Sequence, residues 1–212
     1  MDRESAIGAD HAVLSFCLQN WWCFREAESI VASSEQKGRL HFQCCRLVEA
    51  GASHRAGGGM MIAYRPLADG DRDFCVRVHH LSMRAYVEPI WGWDEAQQDI
   101  LALEFLEHRN AIHEIALLGE VHIGYLSYQD KADTLFLNKL DLHPGQQGQG
   151  HGSEIMARLV RMARSGRKPI ELSVLTTNPR ARAFYERHGF IVVGTTAEKV
   201  RMRRSDDHSH SK

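Results

Sequence analysis

The stretch HPGQQGQGHGS, His143–Ser153, constrains this chain more than any other. Five of its eleven residues are Gly or Pro, yet apolar segments flank it on both sides. Upstream, Thr134–Leu142 alternates as a strand, with Leu135 and Leu137 on one side and Phe136, Leu140 and Leu142 on the other. Lys139 falls on the Leu135/Leu137 side, which predicts a local irregularity or an open slot. Downstream, Ile155, Leu159 and Met162 with Met156, Val160 and Ala163 form one helical face, opposite Arg158, Arg161 and Arg164. A strand, a bare loop and a helix N-terminus bring unpaired amide N–H groups and the positive end of the helix dipole together, which suits an anion. A plain strand-to-helix turn is the competing reading. Two known phosphate loops are excluded. No Gly-Lys-Ser/Thr follows, and a G-x-G-x-x-G pattern needs Gly where Ser153 stands.

The other elements follow from periodicity. Met61–Leu67 alternates and reads as a first strand. Phe74, Val78, Leu81 and Ala85 recur at helical spacing, so Asp73 to about Val87 is a helix that Glu88-Pro89 should end. Ala96, Ile100, Leu103 and Leu106 mark a second helix. Ile112–Leu118 and Val121–Tyr128 are strands with short polar connections, so consecutive antiparallel pairing with Thr134–Leu142 follows. Ile170, Leu172 and Val174 alternate as a further strand. In NPRARAFYERHGF, Asn178 can cap a helix, Pro179 fits its first position and Gly189 its left-handed stop. Phe190–Val193 and Glu198–Met202 close the sheet, the run KVRMRR (Lys199–Arg204) reading as an edge strand with solvated basic side chains. The result is an α/β chain of the α+β type, with a mostly antiparallel sheet rather than a regular βαβ winding.

RAGGGMM, Arg55–Met61, marks a seam. The expected organisation is an N-terminal extension over 1–59, one domain over 60–204 and a disordered tail over 205–212. The extension is either a helical appendage or leader upstream of a true start at Met60 or Met61, the second being favoured. Five cysteines, an odd number with Cys44 and Cys45 adjacent, do not suit a secreted disulfide framework, and MDRESAIGADH lacks a signal-peptide character. A cytoplasmic location is expected. Ala12–Phe24 is too short to span a bilayer, so no membrane partner is expected. A net charge of −1 gives no global field for nucleic acid.

The segment Gln147-Gly148-Gln149-Gly150-His151-Gly152, led in by LDLHP (Leu140–Pro144), resembles the Q-x-x-G-x-G loop of the GNAT superfamily of acetyl-CoA-dependent N-acetyltransferases. A second motif agrees: Asn178, Ala181, Phe184, Tyr185 and Gly189-Phe190 match N-x-x-A-x-x-F-Y-x-x-x-G-F, one helix and one strand downstream. The resemblance covers roughly 61–203. YVEPIWGWDE, Tyr86–Glu95, is similar to an aromatic segment found in a subset of the family. The resemblance implies a mixed, mostly antiparallel twisted sheet with helices on both faces, splayed between its fourth and fifth strands. It also implies acetyl-CoA as cosubstrate, with Gln147, Gly148, Gln149, Gly150, His151, Gly152 and Ser153 cradling the pyrophosphate. Backbone groups of Leu140, Asp141 and Leu142 would line the pantetheine, and Asn178 would contact the cofactor.

The implied reaction is attack of an amine on a thioester. An alkyl ammonium of pKa ~10 must lose a proton, and the departing thiolate must gain one. By resemblance Tyr185 supplies that proton as general acid. A tyrosine packed on its helix with a satisfied hydroxyl is the alternative. Tyr86, Trp91 and Trp93, with Glu88 close by, either pack as core or wall an acceptor site suited to flat or cationic amines. Among Glu88, Asp94 and Glu95 no general base can be singled out. The acceptor is a small-molecule or peptide amine, and a homodimer is open. A non-catalytic acyl-CoA-binding module is the rival reading. No metal is expected: His79 and His80 adjoin and point apart, and no His or Cys pairing has ligand spacing.

Overall fold

In the computed structural model, residues 61–205 are described; the readings on 1–59, Met60 and all but the first residue of the expected tail lie outside them. Strand β1 (Ile62–Pro66) leads through a single 3-10 turn, Asp69–Asp71, into helix α1 (Arg72–Trp91), followed by α2 (Glu95–Leu106). Three strands follow, β2 (Ile112–Leu118), β3 (Val121–Asp130) and β4 (Leu135–Leu142), then α3 (His151–Ser165) and β5 (Ile170–Leu175). Helix α4 (Pro179–Arg187) and strands β6 (Ile191–Thr195) and β7 (Lys199–Arg204) complete the order.

The seven strands form one sheet in the order β1-β2-β3-β4-β5-β7-β6. Every pairing is antiparallel except β4 with β5. That parallel pair joins only Leu135–Leu137 to Ile170–Leu172. Beyond it the two strands part, so the sheet is splayed where the resemblance implied. KVRMRR is not an edge strand. It lies between β5 and β6, with Val200 and Met202 buried and Arg201 and Arg203 outward; β6 is the edge. A crossover that brings the last strand in beside β5 cannot be read from alternation.

Successive residues of β2 show which layer covers which face. Ile115 packs with Cys75 and Val78 of α1 and Leu106 of α2, while Ala116 packs with Ile155, Met156 and Leu159 of α3. Neighbours in a strand point to opposite faces, so α1 and α2 cover one face and α3 the other. Each fully buried aliphatic side chain in these layers contributes about 1.5–3 kcal/mol through removal from water.

The irregularity expected near Lys139 is a β-bulge. Ser127 pairs with Lys139 and Tyr128 with Leu137, so Asn138 is the extra residue. The bulge resets the alternation. Leu135 and Leu137 join Leu140 and Leu142 in the α3-side core, rather than opposing them, and Lys139 and Asp141 turn to the α1 side.

Three local readings are corrected. Pro89 does not end α1, which runs to Trp91 and stops at Gly92 (φ 77°). In the last turn the proline removes a single donor, that toward Ala85, and the helix survives it. The buried residues of α1 are Cys75, Val78, His79 and Val87, with Leu81 60 % exposed. In α2 the core takes Leu101, Ala102 and Leu106, while Ile100 is outward. Apolar residues on several sides of these helices make their spacing ambiguous. Finally, Arg158, on the face opposite the apolar one, is half-buried: it pairs with Glu114 at 2.6 and 2.8 Å over the Tyr64 ring.

Candidate functional site

The loop that ends β4 is built so that its backbone stays bare. His143 accepts from the Gly145 amide at 3.2 Å, and Gln149 Nε2 donates to the Gly145 carbonyl at 2.7 Å. Gln147 does not project outward. Its Nε2 donates to the Leu142 carbonyl at 2.9 Å, folding the one long side chain of the motif back onto the strand. Gly148 (φ 77°) and Gly150 (φ 90°) both hold the left-handed conformation, and a Cβ on either would meet no atom within 4 Å. Space therefore does not demand glycine there, but the conformation does.

Helix α3 starts at His151 with Gly150 as its cap, and the Gly150 carbonyl accepts from Ser153 at 2.9 Å and Glu154 at 3.1 Å. The amides of Gly148, Gln149, Gly150, His151 and Gly152 find no acceptor among the described residues. Five such N–H groups at the head of a 15-residue helix form a cradle of the kind that holds phosphate. Gly152 lies against α4, where a Cβ would come into van der Waals contact with the Phe184 ring at 3.4 Å.

Beside the cradle, Leu140, Asp141 and Leu142 pair with Leu126, Tyr125 and Gly124 of β3 but face no β5 partner on the other side. An extended ligand can lie in that gap, against backbone. Gly124, which sequence reading missed, makes this strand possible. A Cβ on it would lie 2.3 Å from the Asp141 carbonyl oxygen.

Helix α4 forms as its sequence dictates. Asn178 accepts from the Ala181 amide at 2.9 Å, and Gly189 (φ 82°) ends the helix region. The capping role occupies the Asn178 side-chain oxygen and leaves its NH2 group as a donor. Tyr185 is buried, packed edge-on against Phe184 and Phe190. Burial first, then the Asp141 carboxylate, hold its phenol well above the ordinary tyrosine range. Like any phenol, Tyr185 is protonated at neutral pH, and the shift only holds that proton more firmly.

The aromatic segment divides. Tyr86 and Trp91 are half-buried near the end of α1, and the Tyr86 carbonyl accepts from Thr177 Oγ1 at 2.5 Å. Glu88 is exposed beside Arg84. Trp93, in the turn after α1, folds back against that helix, edge-on to His80 at 5.2 Å and under the Arg84 guanidinium at 5.7 Å, so a cation of this chain already covers it.

A buried ionisable group on α1 also escaped the sequence reading. His79 is fully buried, with Nδ1 3.4 Å from Asp141 Oδ2 and 3.4 Å from Lys139 Nζ. The signal was Lys139 off its expected face; the bulge that turns Asp141 with it could not be placed from spacing. Burial pushes the nearby Cys75 thiol up to about 12, so it is no nucleophile at neutral pH. Among the described residues no group of His, Cys, Asp and Glu could hold a metal ion, and no helix is long and apolar enough to cross a membrane.

Residues 76–190 match the acetyltransferase (GNAT) family. The fold is similar to that of the PaiA N-acetyltransferase from Thermoplasma acidophilum in complex with coenzyme A, at 19% identity and a TM-score of 0.57 over 69% of this chain and 99% of that one. It is likewise similar to the ribosomal-protein-S18-alanine N-acetyltransferase from Escherichia coli (16% identity, TM-score 0.53, 72% and 99% covered). Mutant forms of the spermidine/spermine N-acetyltransferase SpeG from Vibrio cholerae give 18% identity and a TM-score of 0.51, with 67% and 92% covered. No curated protein matches the chain.

Proposed function

Because the chain belongs to the GNAT family of acetyltransferases, we propose that it transfers an acetyl group from acetyl-CoA to a primary amine. The observation that carries this reading is the juxtaposition of three features. The Gly148–Gly152 amides lack acceptors, the β4 edge faces no partner beyond Leu137, and Tyr185 is kept protonated. Coenzyme A offers a diphosphate, an extended amide-bearing arm and a sulfur, and the three features suit those groups in turn. A neighbouring fold in complex with coenzyme A adds support.

Acetyl-CoA, when bound, supplies the activated acetyl thioester. The chain contributes the rest. Amides from Gly148 to Gly152 hold the diphosphate, with Gln147 fixing the loop to Leu142 and Gln149 bracing it against Gly145. Backbone groups of Leu140–Leu142 orient the arm. Tyr185 keeps a proton ready for the departing sulfur: a phenol is protonated near neutral pH, and burial keeps this one so. Holding both reactants supplies much of the acceleration. Tyr86, Glu88 and Trp91 form the candidate acceptor wall, while Asn178 serves α4 first and the cofactor second. Structural neighbours named for acting on polyamines and on a ribosomal-protein alanine bracket small and protein amines.

The experiment is thiol release from acetyl-CoA by the full chain, across spermidine, phenylethylamine, free amino acids and peptides with alanine N-termini. Amine-dependent release supports the reading. Binding of acetyl-CoA with no release from any amine would favour an acyl-CoA-binding module instead.

A further inference from the structure

The two faces of the sheet carry different chemistry beside the β4 edge. Tyr185 lies in the core on the α3 side. The bulge at Asn138 turns Asp141 the other way, toward α1. There Asp141 is 5% exposed, with His79 Nδ1 at 3.4 Å and the Tyr125 hydroxyl of β3 donating to it. Lys139 Nζ reaches the same His79 nitrogen at 3.4 Å and stands over the Phe105 ring at 4.5 Å. The other ionisable groups of this cluster are Cys75 of α1, which acts on Asp141 and Lys139, and His113 of β2, which acts on Lys139. His79 itself is fully buried, and burial, then Lys139, keep it neutral. Seven residues after His79, about 10 Å along the helix, the Tyr86 carbonyl accepts from Thr177. Helix α1 thus reaches from β4 to the turn after β5 on this face. Tyr86, of the candidate acceptor wall, stands on the same side of the sheet as Asp141.

The acids that the sequence offers near that wall are engaged elsewhere. Glu88 pairs with Arg84 at 3.6 Å, Asp94 caps α2 through the Gln97 amide at 2.8 Å, and Glu95 faces His80 at 3.6 Å. We propose that Asp141 is the general base that takes a proton from the acceptor ammonium, on the face of the sheet opposite Tyr185, with His79 as its positioning residue. The proposal rests on the acetyl transfer proposed above. No proton passes between Asp141 and Tyr185, and the chemistry requires none. The ammonium gives one proton to the Asp141 carboxylate, and the freed lone pair forms the carbon–nitrogen bond at the acetyl carbon. The carbon–sulfur bond breaks with its electron pair on sulfur, which takes the Tyr185 proton. The second surplus proton on nitrogen and the one on Asp141 pass to water, and water returns one to the phenolate. One net proton leaves, as amide formation from an ammonium requires. Base and acid thus reach the thioester from opposite faces, which is where attacking nitrogen and departing sulfur need them.

The test is the pH profile of kcat, read as thiol release with saturating phenylethylamine or the fastest amine of the panel. In the parent, kcat should rise out of acid and level off once the carboxylate is free. Asp141→Asn should lower kcat at pH 7 by about 10²-fold and change the shape of the curve. Without a base the amine must arrive neutral, so kcat should climb about tenfold per pH unit toward the amine pKa near ~10. Acetyl-CoA affinity by calorimetry should stay within about twofold of the parent. A folded Asp141→Asn variant whose curve keeps the parent's shape, lowered or not, would overturn the base, because a structural contact changes height and not shape. If Asp141→Asn does not fold, Lys139→Met decides. Loss of the cation beside this cluster should move the acid limb of the parent profile to higher pH, and an unmoved limb overturns the base. Failure of the transferase reading looks different: the parent itself then releases no thiol with any amine, and the base falls with it.

Discussion

Thr177 donates its hydroxyl to the Tyr86 carbonyl at 2.5 Å, tying the end of β5 to the last turns of α1. Tyr86 belongs to the candidate acceptor wall, and this bond ties it to the turn that follows β5. Replacing Thr177 by Val keeps the shape and removes the donor. The variant should lose about 1 kcal/mol in urea unfolding. Its KM for the amine should rise severalfold, with acetyl-CoA affinity unchanged by calorimetry.

Gly150 sits at φ 90° in the cradle, and Gly92 at φ 77° outside it, both with open space around a Cβ. Valine at either place incurs the same backbone strain, about 1–2 kcal/mol. Gly150→Val should in addition weaken acetyl-CoA binding tenfold or more, because the backbone can no longer approach a phosphate. Gly92→Val should lower the melting temperature and leave binding alone. Equal affinities in the two variants would count against the cradle.

Gly124→Ala puts a Cβ 2.3 Å from the Asp141 carbonyl oxygen, a backbone atom that cannot swing aside. Strand β4 must shift. The expected result is a lower melting temperature together with weaker acetyl-CoA binding, from a residue that touches neither the cradle nor Tyr185.

Most of the fold was legible because its signals are local. Asn178, Pro179 and Gly189 bracket α4 at the residues where caps and stops were read. Both glycine-bearing motifs, on which the proposed site rests, are local signals in the same way. What failed was set by tertiary choice. Pro89 was expected to stop α1, yet a proline in a last turn costs little and Gly92 stops it instead. Arg158 falls by period on the face opposite the apolar one, and the pairing with Glu114 over the Tyr64 ring could not be read from spacing. The buried His79–Asp141 contact joins residues 62 positions apart and depends on the bulge at Asn138, which alternation could only hint at.

His79 also makes stability depend on pH. Its folded pKa lies below the ordinary value of about 6.5, burial being the main cause. The unfolded chain therefore binds more protons below that value. The stability His79 allows is complete above about pH 6.5 and is lost as pH falls toward the folded pKa. Melting temperature should drop between about pH 7 and 5 in the parent. In His79→Gln the drop should be smaller, and a parallel curve would reject this assignment.

The central claim is that Tyr185 gives its proton to the sulfur that leaves acetyl-CoA. Tyr185→Phe keeps the ring between Phe184 and Phe190 and removes only the hydroxyl. Thiol release and calorimetric acetyl-CoA affinity, measured on the same preparation, test it directly. The account predicts turnover lower by about 10²-fold with affinity within about twofold of the parent. Parent-level turnover at unchanged affinity would contradict it.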